Sequence, residues 1–427
     1  MMKTRQLFTI IVLLVPLLGA SQKKLELSLD SAISFGIEYN KTVKMANLSV
    51  QEARRKIHET ASSGLPQVDA AIDYSNFFGS SATFPGGMSI EFNPTSNFTF
   101  SVGQLIFNAS YFVGLQTAKL YKNLSETNLE KSEQEVAALI TNNYYLALAS
   151  EKSLGIIRKN KENLKDIYNK TAAMANMGIL EKTDVDQLSV QVTSIENAVK
   201  ASERQVEISY NMLRLQMGTE SGTEIKLTSS LDEIIMEAGF EASMLAPFDI
   251  RQNLNFQLTE MQRQISEKQL ALQKASYLPA ITGFYSHTEK ILKPEFDFSP
   301  KDVIGLNASI PIFSGFNRWS KVQQAKIQLK STETQQALLE DQLMIQEKQY
   351  RFNLKNALEQ FQNQEKNVEV AREVFHSINL KYQQGMVSSL DLTTANNNYL
   401  QAENAYISSL LQLLQAKTEL EKLLNKI

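Results

Sequence analysis

The sequence predicts a mainly α-helical chain that carries two pairs of β-strands and is built as a two-fold internal repeat. Glycine and proline are scarce, at 17 and 9 of 427 residues, which favours long uninterrupted helices. Apolar residues recur every three or four positions over long stretches, as they do in packed helices. Landmarks of the first half reappear in the same order in the second half, which predicts a duplicated fold.

The first residues are typical of a secretory signal peptide, which we assign to residues 1–20. Lys3 and Arg5 are followed by an apolar run from residue 7 to residue 20, and residues 18–20 offer a cleavage site of small side chains. This run is too short to cross a bilayer as a helix. We therefore expect an exported mature chain, with an uncleaved signal anchor as the alternative. No later run reaches about 18 apolar residues, so insertion into a membrane would require a β-barrel.

The composition argues against several functional classes. The formal charge is −3 and Lys and Arg are not clustered, so we expect no nucleic-acid partner. The absence of cysteine excludes disulfides, a thiol nucleophile and a lipid-anchor cysteine. His58, His287 and His376 are too scattered to hold a metal, and no phosphate-binding loop or nucleophile elbow occurs. We predict a protein without enzymatic activity, cofactor or metal.

Two structural repeats, residues 21–217 and 248–427, flank an equatorial segment of residues 218–247. Each repeat is expected to contain a helix, a strand pair, a long helix, a turn at a tip and a returning helix. The strand pairs are assigned to residues 67–107 and 280–312, and the tips to residues 178–184 and 385–391. Gly178 and Gly385 are 207 positions apart, and each is followed six residues later by an aspartate.

Helix lengths predict how these pieces fit together. The long helices, 108–177 and 314–384, would each measure on the order of 100 Å. Helices 30–62 and 184–217 together match one long helix, so we expect them to lie end to end beside it. We expect a non-helical belt from the equatorial segment, which is rich in Thr, Gly and Ser. Amphipathic helices this long need partners within and between chains.

The helix after each tip contains an apolar seam of the coiled-coil type. In the first repeat the seam consists of Val185, Leu188, Val192, Ile195, Val199, Ser202, Val206, Ser209 and Leu213. In the second it consists of Leu392, Ala395, Tyr399, Ala402, Tyr406, Ser409, Leu413, Ala416 and Leu420. Any two amphipathic helices can be aligned in this way, but the flanking landmarks fall in the same order and favour a true repeat.

Alternation of apolar and polar residues predicts four membrane β-strands per chain. Val68, Ile72 and Tyr74 alternate with polar or small residues, although a half-buried soluble strand would show the same pattern. The phase of residues 280–287 is ambiguous, and we expect the connectors 79–96 and 288–302 to be loops. Four strands cannot close a barrel in lipid, so the chain must oligomerise. Two, three or four copies remain open on this reasoning.

With these landmarks, the chain resembles the TolC-like outer-membrane efflux family. The resemblance rests on the two Leu-Pro turns that end at Pro66 and Pro279, the strand-to-helix junction at 310–315, and the segments 177–184 and 382–391. It implies a homotrimer that closes a β-barrel in the outer membrane above a periplasmic coiled-coil α-helical barrel. It also implies a passive channel in a tripartite efflux system, with a periplasmic adaptor protein, an inner-membrane transporter and outer-membrane lipid as partners.

The resemblance further implies a gate and adaptor-docking tip. Its expected residues are Gly178, Thr183, Asp184, Tyr382, Gly385 and Asp391. The two glycines match turn residues that meet the adaptor. Tyr382 matches a tyrosine that bonds to the aspartate at the position of Asp184 when the gate is closed. Asp391 matches an acidic residue that rings the mouth and attracts cations.

Two gate positions carry residues that differ from those of the family. Val387 stands where an arginine latches to the residue matching Thr183, and Thr394 stands where a second acidic ring lies. We expect a more weakly latched tip, whose cation preference is open. Helix capping by the aspartates and a surface position for Tyr382 are the simpler alternatives.

Two other functions remain open from the sequence. The chain could be the outlet of a type I protein-secretion system, because the inner-membrane partner decides between the two roles. It could also be a periplasmic coiled-coil scaffold that never enters the membrane. A scaffold would explain the seams but not the strand pairs. The substrate is not encoded in any recognisable pattern.

Overall fold

The computed structural model describes residues 25–83, 85–87, 89–293 and 297–427, so the signal-peptide prediction for residues 1–20 lies outside the described residues. The strands are β1 (Leu25–Leu27), β2 (Gln67–Ser75), β3 (Ser81–Thr83), β4 (Ser89–Glu91), β5 (Thr95–Asn108), β6 (Ile225–Leu227), β7 (Ala280–Leu292) and β8 (Asp302–Ser309). The helices are α1 (Leu29–Tyr39), α2 (Lys41–Ser62), α3 (Ala109–Asn176), α4 (Lys182–Met217), α5 (Leu231–Glu237), α6 (Phe240–Leu245), α7 (Leu254–Ala275), α8 (Asn317–Gln383) and α9 (Ser389–Leu423). This confirms the mainly α-helical class with two strand pairs.

Helices α3 and α8, of 68 and 67 residues, form the frame of the molecule. Both begin and end within three residues of the ranges expected from the sequence. Helix α3 packs against α2 and α7 in one half of its length and against α4 and α9 in the other, while α8 packs against α7 and α9. The shorter helices therefore supply the partners that the long ones need.

Strands β2, β5, β7 and β8 form one antiparallel sheet in that order. The two strand pairs are joined through β5 and β7, where Ser101 lies opposite Ser286. The register shifts between Leu105 and Phe107, at the end of the sheet nearest to α3. Within the described residues, β2 and β8 each pair on one side only, so the single chain has two open sheet edges.

The connectors in this sheet region contain more structure than the sequence indicated. Segment 79–96 was expected to be a loop, but β3 and β4 form a small hairpin in it, with Ala82 opposite Ile90. Segment 288–302 was also expected to be a loop, yet β7 continues to Leu292 because β5 is long enough to pair with it. The second strand pair was expected to end at residue 312 but ends at Ser309. Pro311 lacks the N–H group that a paired strand requires.

The expected helix 30–62 is interrupted at Asn40, where the backbone turns to an extended conformation with ψ of 134°. The Asn40 side-chain oxygen accepts hydrogen bonds from the N–H groups of Thr42 (2.7 Å) and Val43 (3.4 Å), which caps α2. The side-chain amide donates to the carbonyl of Gln216 (2.6 Å) at the end of α4. Helices α4 and α2 therefore lie end to end, joined by one asparagine.

The second repeat uses the same junction. Asn253 accepts hydrogen bonds from the N–H groups of Asn255 (3.0 Å) and Phe256 (3.3 Å) and caps α7. Its amide donates to the carbonyl of Leu423 (3.1 Å) at the end of α9. The helix expected over 249–278 is correspondingly shorter, with a separate turn of 3-10 helix at Ile250–Gln252. The end-to-end arrangement thus recurs in both repeats.

The equatorial segment 218–247 is not the non-helical belt that the sequence indicated. Strand β6 pairs in parallel with β1, and α5 and α6 follow it. Helix α5 forms because Ser230 and Glu233 make a reciprocal capping box. Tyr144, fully buried in α3, donates a hydrogen bond to the carbonyl of Leu27 (3.0 Å) and so ties this belt to the long helix.

The apolar residues form two clusters, one beside the equatorial segment and one beside the tip. Every residue of the two predicted seams is buried or half-buried, including the small residues Ser209 and Ser409. The prediction of two equivalent coiled-coil seams is therefore confirmed at the level of burial. In the parts of the chain that the structure describes, no helix has the combination of length and hydropathy needed to cross a membrane.

Candidate functional site at the helical tip

The two tips have the same backbone structure. Gly178 and Gly385 adopt left-handed conformations, with φ of 78° and 72°. One residue further on, Ile179 donates its N–H to the carbonyl of Met174 (3.0 Å), and Met386 to that of Lys381 (2.9 Å). This is the six-residue closure that ends many helices, and it requires a residue that tolerates positive φ. The glycines at the two tips are therefore explained by the turn itself.

The start of the returning helix differs between the tips. In α9, Ser388 and Asp391 form a capping box: the N–H of Asp391 donates to the Ser388 hydroxyl (3.2 Å), and the N–H of Ser388 to the Asp391 carboxylate (3.0 Å). Hydrogen bonds from the side chain and then the backbone of Ser388 lower the pKa of Asp391 below its ordinary value. The capping interpretation therefore fits Asp391, whose side chain is exposed.

Asp184 does not cap α4, which begins after Glu181 without a side-chain cap. Its carboxylate instead accepts a hydrogen bond of 2.5 Å from the hydroxyl of Ser389, which is almost fully buried at the start of α9. The same hydroxyl oxygen lies 2.9 Å from the side-chain oxygen of Gln187. Asp184 therefore joins the α3/α4 hairpin to the α8/α9 hairpin. Thr183 is exposed and donates to the carboxylate of Glu181 (3.0 Å).

Tyr382 makes a second link between the hairpins, to a different partner from the one expected. Its hydroxyl lies 2.8 Å from the hydroxyl of Thr171 in α3, and not within bonding distance of Asp184. The exposed fractions of Tyr382 and Thr171 are 7% and 1%, so a surface position for the tyrosine is wrong. Burial, and to a smaller extent the charge of Asp184, raises the pKa of Tyr382. The ring lies among Leu164, Ile167 and the other residues of the cluster beside the tip.

The two family gate positions that differ here have ordinary local roles. Val387 is half-buried and packs against the cluster beside the tip. Thr394 donates its hydroxyl hydrogen bond to the carbonyl of Leu390 (2.8 Å) in its own helix. Among the described residues, then, the hairpins of one chain are linked at the tip by hydroxyl and carboxylate groups. No group of three or more His, Cys, Asp or Glu side chains in this described part could hold a metal ion.

The sequence did not single out Thr171, Gln187 or Ser389. One signal for Thr171 was available, because it follows Leu164 and Ile167 at the spacing of an apolar seam. A hydroxyl at such a position needs a buried partner. The tip also carries four exposed apolar side chains: Met177, Ile179, Met386 and Leu390.

The chain thus forms a long shaft of helices with a strand sheet at one end and two paired turns at the other. The family model of the outer membrane efflux protein matches residues 35–219 and 250–426, and the chain belongs to this family. The matched ranges correspond to the two repeats and leave out most of the equatorial segment.

Individual relatives are distant in sequence. The chain is 22% identical over 269 residues to the probable outer membrane lipoprotein SilC of Salmonella typhimurium, a match that includes 58% of this chain and 53% of SilC. The chain thus spans about half the length of this relative. The fold is similar to that of the Campylobacter jejuni CmeC outer membrane channel (TM-score 0.75, 14% identity, 93% of this chain and 85% of the other). It is also similar to the open state of the Neisseria gonorrhoeae MtrE outer membrane channel (TM-score 0.74, 15% identity, 93% and 88%).

Proposed function

We propose that three copies of this chain form a passive duct across the outer membrane, with the helices reaching into the periplasm. The observation that carries the proposal is the four-stranded sheet with two open edges at the end of two hairpins of long helices. Strand edges left open in lipid are costly, so each β8 must pair with the β2 of a neighbouring copy. Three copies give twelve strands and a lumen wide enough for solutes.

The duct would be one part of a tripartite efflux system. In this arrangement an inner-membrane transporter supplies the substrate and the energy, and a periplasmic adaptor protein connects the transporter to the tip. Met177, Ile179, Met386 and Leu390 support a docking role for the tip, since exposed apolar side chains beside a tight turn form a contact surface for another protein. Membership of the efflux family supports the same assembly.

The tip is proposed to be the gate. Tyr382 with Thr171 and Asp184 with Ser389 hold the two hairpins of a chain together, and opening would separate them. These two hydrogen bonds are a modest barrier, since a neutral pair contributes about 1 kcal/mol on balance and a bond to a carboxylate about 1.5–3 kcal/mol. Asp391, exposed at the mouth and ionised above its lowered pKa, would make the entrance cation-attracting in a trimer.

Single-channel conductance in planar bilayers, measured together with the oligomer mass of the detergent-purified protein, tests this proposal. A trimer that inserts and conducts, with a small cation-biased conductance, supports the duct and the Asp391 ring. Removing the acidic ring by Asp391→Asn should abolish the cation bias while the conductance persists. A water-soluble species that never inserts would overturn the proposal and leave the periplasmic scaffold.

A further inference from the structure

A cleft between α3, α8 and α9 is separate from the tip contacts. Its volume is about 560 Å³, which lies in the range of clefts that bind small molecules. Its lining comes from both hairpins: Lys152 and Lys159 belong to α3, Arg372 to α8, and Glu403 to α9. A molecule bound there would contact both hairpins at once.

Positive charge predominates in this cleft. The one carboxylate in its lining, Glu403, is 6% exposed and already accepts hydrogen bonds from Tyr399 (2.7 Å) and Arg372 (3.3 Å). Lys152 is paired with Asp232 (2.8 Å). Lys159 has no ion-pair partner within the described segments, so its charge is available to a ligand.

Asn160 provides a second, independent observation. Its side chain is 3% exposed, and the side-chain amide nitrogen has no hydrogen-bond partner in the described parts of the chain. Buried amide donors in folded proteins are nearly always paired, because leaving one unpaired costs its full desolvation. Asn160 lines the cleft beside Lys159, and a change of its side-chain rotamer would bring the buried amide nitrogen within reach of an acceptor in the cleft.

One wall of the cleft is apolar. The rings of Phe375 and Tyr399 stack with centroids 5.7 Å apart and planes 2° from parallel, and Ile156 lies in the same lining. The cleft therefore combines hydrogen-bond donors and positive charge with an aromatic surface. This combination fits a small molecule that has an acid group and an apolar body.

We propose that the cleft is a binding site for a small organic anion. Oxygens of its carboxylate or phosphate group accept hydrogen bonds from Lys159 and Asn160, and its apolar body packs on the Phe375–Tyr399 pair. The ligand would join α3 to α8 and α9 and so stabilise the packing of the two hairpins. Binding is measured on the purified protein, so the test of this site does not depend on whether the protein conducts ions.

Titration calorimetry of the detergent-purified full chain tests the site with three probes of similar apolar body: benzoate, phenyl phosphate and the neutral benzyl alcohol. We expect one saturable site per chain for at least one of the anions and none for the alcohol. Saturation by benzoate identifies a carboxylate site and saturation by phenyl phosphate a phosphate site. Absence of saturable binding for both anions, or equal binding of benzyl alcohol, would overturn the proposal.

Variants locate the binding site within the molecule. Lys159→Gln should raise the Kd of the anion at least tenfold, and Asn160→Ala should raise it several-fold. Lys165→Gln removes the same charge from an exposed position of α3 outside the cleft and should change the Kd less than twofold. Because Lys159 is itself exposed, its replacement should leave the fold intact. An unchanged Kd in Lys159→Gln would contradict the assignment.

Discussion

Tyr382 and Thr171 show how two polar groups can be buried beside an apolar cluster. Each hydroxyl is the partner of the other at 2.8 Å, so neither is left without a hydrogen bond. The pair lies beside the apolar cluster that contains Leu164, Ile167 and Leu188. Without each other, the two hydroxyls would need water molecules as hydrogen-bond partners in this cluster. The hydrogen bond between the two hydroxyls therefore allows the two hairpins to pack tightly. The loss of stability on removing this bond should be measurable.

Tyr382→Phe should lower the free energy of unfolding by about 1–3 kcal/mol, because it leaves the Thr171 hydroxyl buried and unpaired. Adding Thr171→Val should restore part of this loss, since both partners are then apolar. Denaturant unfolding of the two single variants and the double variant gives the coupling free energy. Strictly additive losses would show that the two hydroxyls do not depend on each other.

Hydrogen bonds from Ser388 lower the pKa of Asp391. The lowered pKa of Asp391 means that its capping box contributes stability above the ordinary carboxyl value of 3.8, and that this contribution is lost as the pH falls through the lowered pKa. Ser388→Ala should raise the pKa of Asp391 toward 3.8, whereas Ser388→Thr should leave it low. Carboxyl NMR titration measures both values. The same pKa in the alanine variant as in the parent protein would contradict the capping box.

At the level of the helices, Asn40 and Asn253 explain how four short helices act as two long ones. Each asparagine accepts hydrogen bonds from the helix that it begins and donates to the last turn of the helix that ends there. Gly218 permits this contact, because a Cβ at that position would lie 2.4 Å from the carbonyl oxygen of Tyr39. Two helices joined end to end by an asparagine therefore span the length that one long helix spans beside them.

Asn253→Ala should cost about 1–2 kcal/mol, because it removes both the cap of α7 and the bond to the carbonyl of Leu423. Asn253→Asp separates the two contributions, since a carboxylate keeps the cap but cannot donate. In the aspartate variant we expect faster amide hydrogen exchange in the last turn of α9 with α7 unchanged. Unaltered exchange at the end of α9 in both variants would rule out the junction.

For the whole molecule, the open edges of the sheet determine whether one chain can function alone. Every residue of β2 is exposed in the single chain, including Val68 and Ile72. Exposed apolar residues on an unpaired edge strand promote association with another strand. This is the physical reason why we expect association with other copies, three in the proposed duct, to accompany the final folding of the sheet.

Proline at β2 tests this dependence. Ala70 and Ala71 direct their N–H groups to opposite sides of the strand, so one faces β5 and the other the open edge. Both Ala70→Pro and Ala71→Pro should reduce the amount of detergent-resistant trimer. Only the variant that removes the N–H group facing β5 should also disturb the strand pairing within the chain. Native mass spectrometry and circular dichroism report the two effects. An undiminished trimer in both variants would show that β2 is not an interface.

The sequence by itself determined the burial of the two helical seams and the place of the two tip turns. Seam residues such as Leu188 and Leu392 are buried as the periodicity predicted, and Gly178 and Gly385 occupy the left-handed turns. These features depend on local backbone preferences and on the period of the helix, both of which are encoded in neighbouring residues.

Only the tertiary structure decided which residues meet. The bonds of Tyr382 with Thr171 and of Asp184 with Ser389 join residues more than 200 positions apart. The bond from Asn40 to the carbonyl of Gln216 joins residues 176 positions apart. The sheet order and the cleft beside Asn160 arise in the same way. A hydrogen bond depends on distances of a few tenths of an ångström, and the docking of two hairpins fixes these distances where residue spacing along the chain does not.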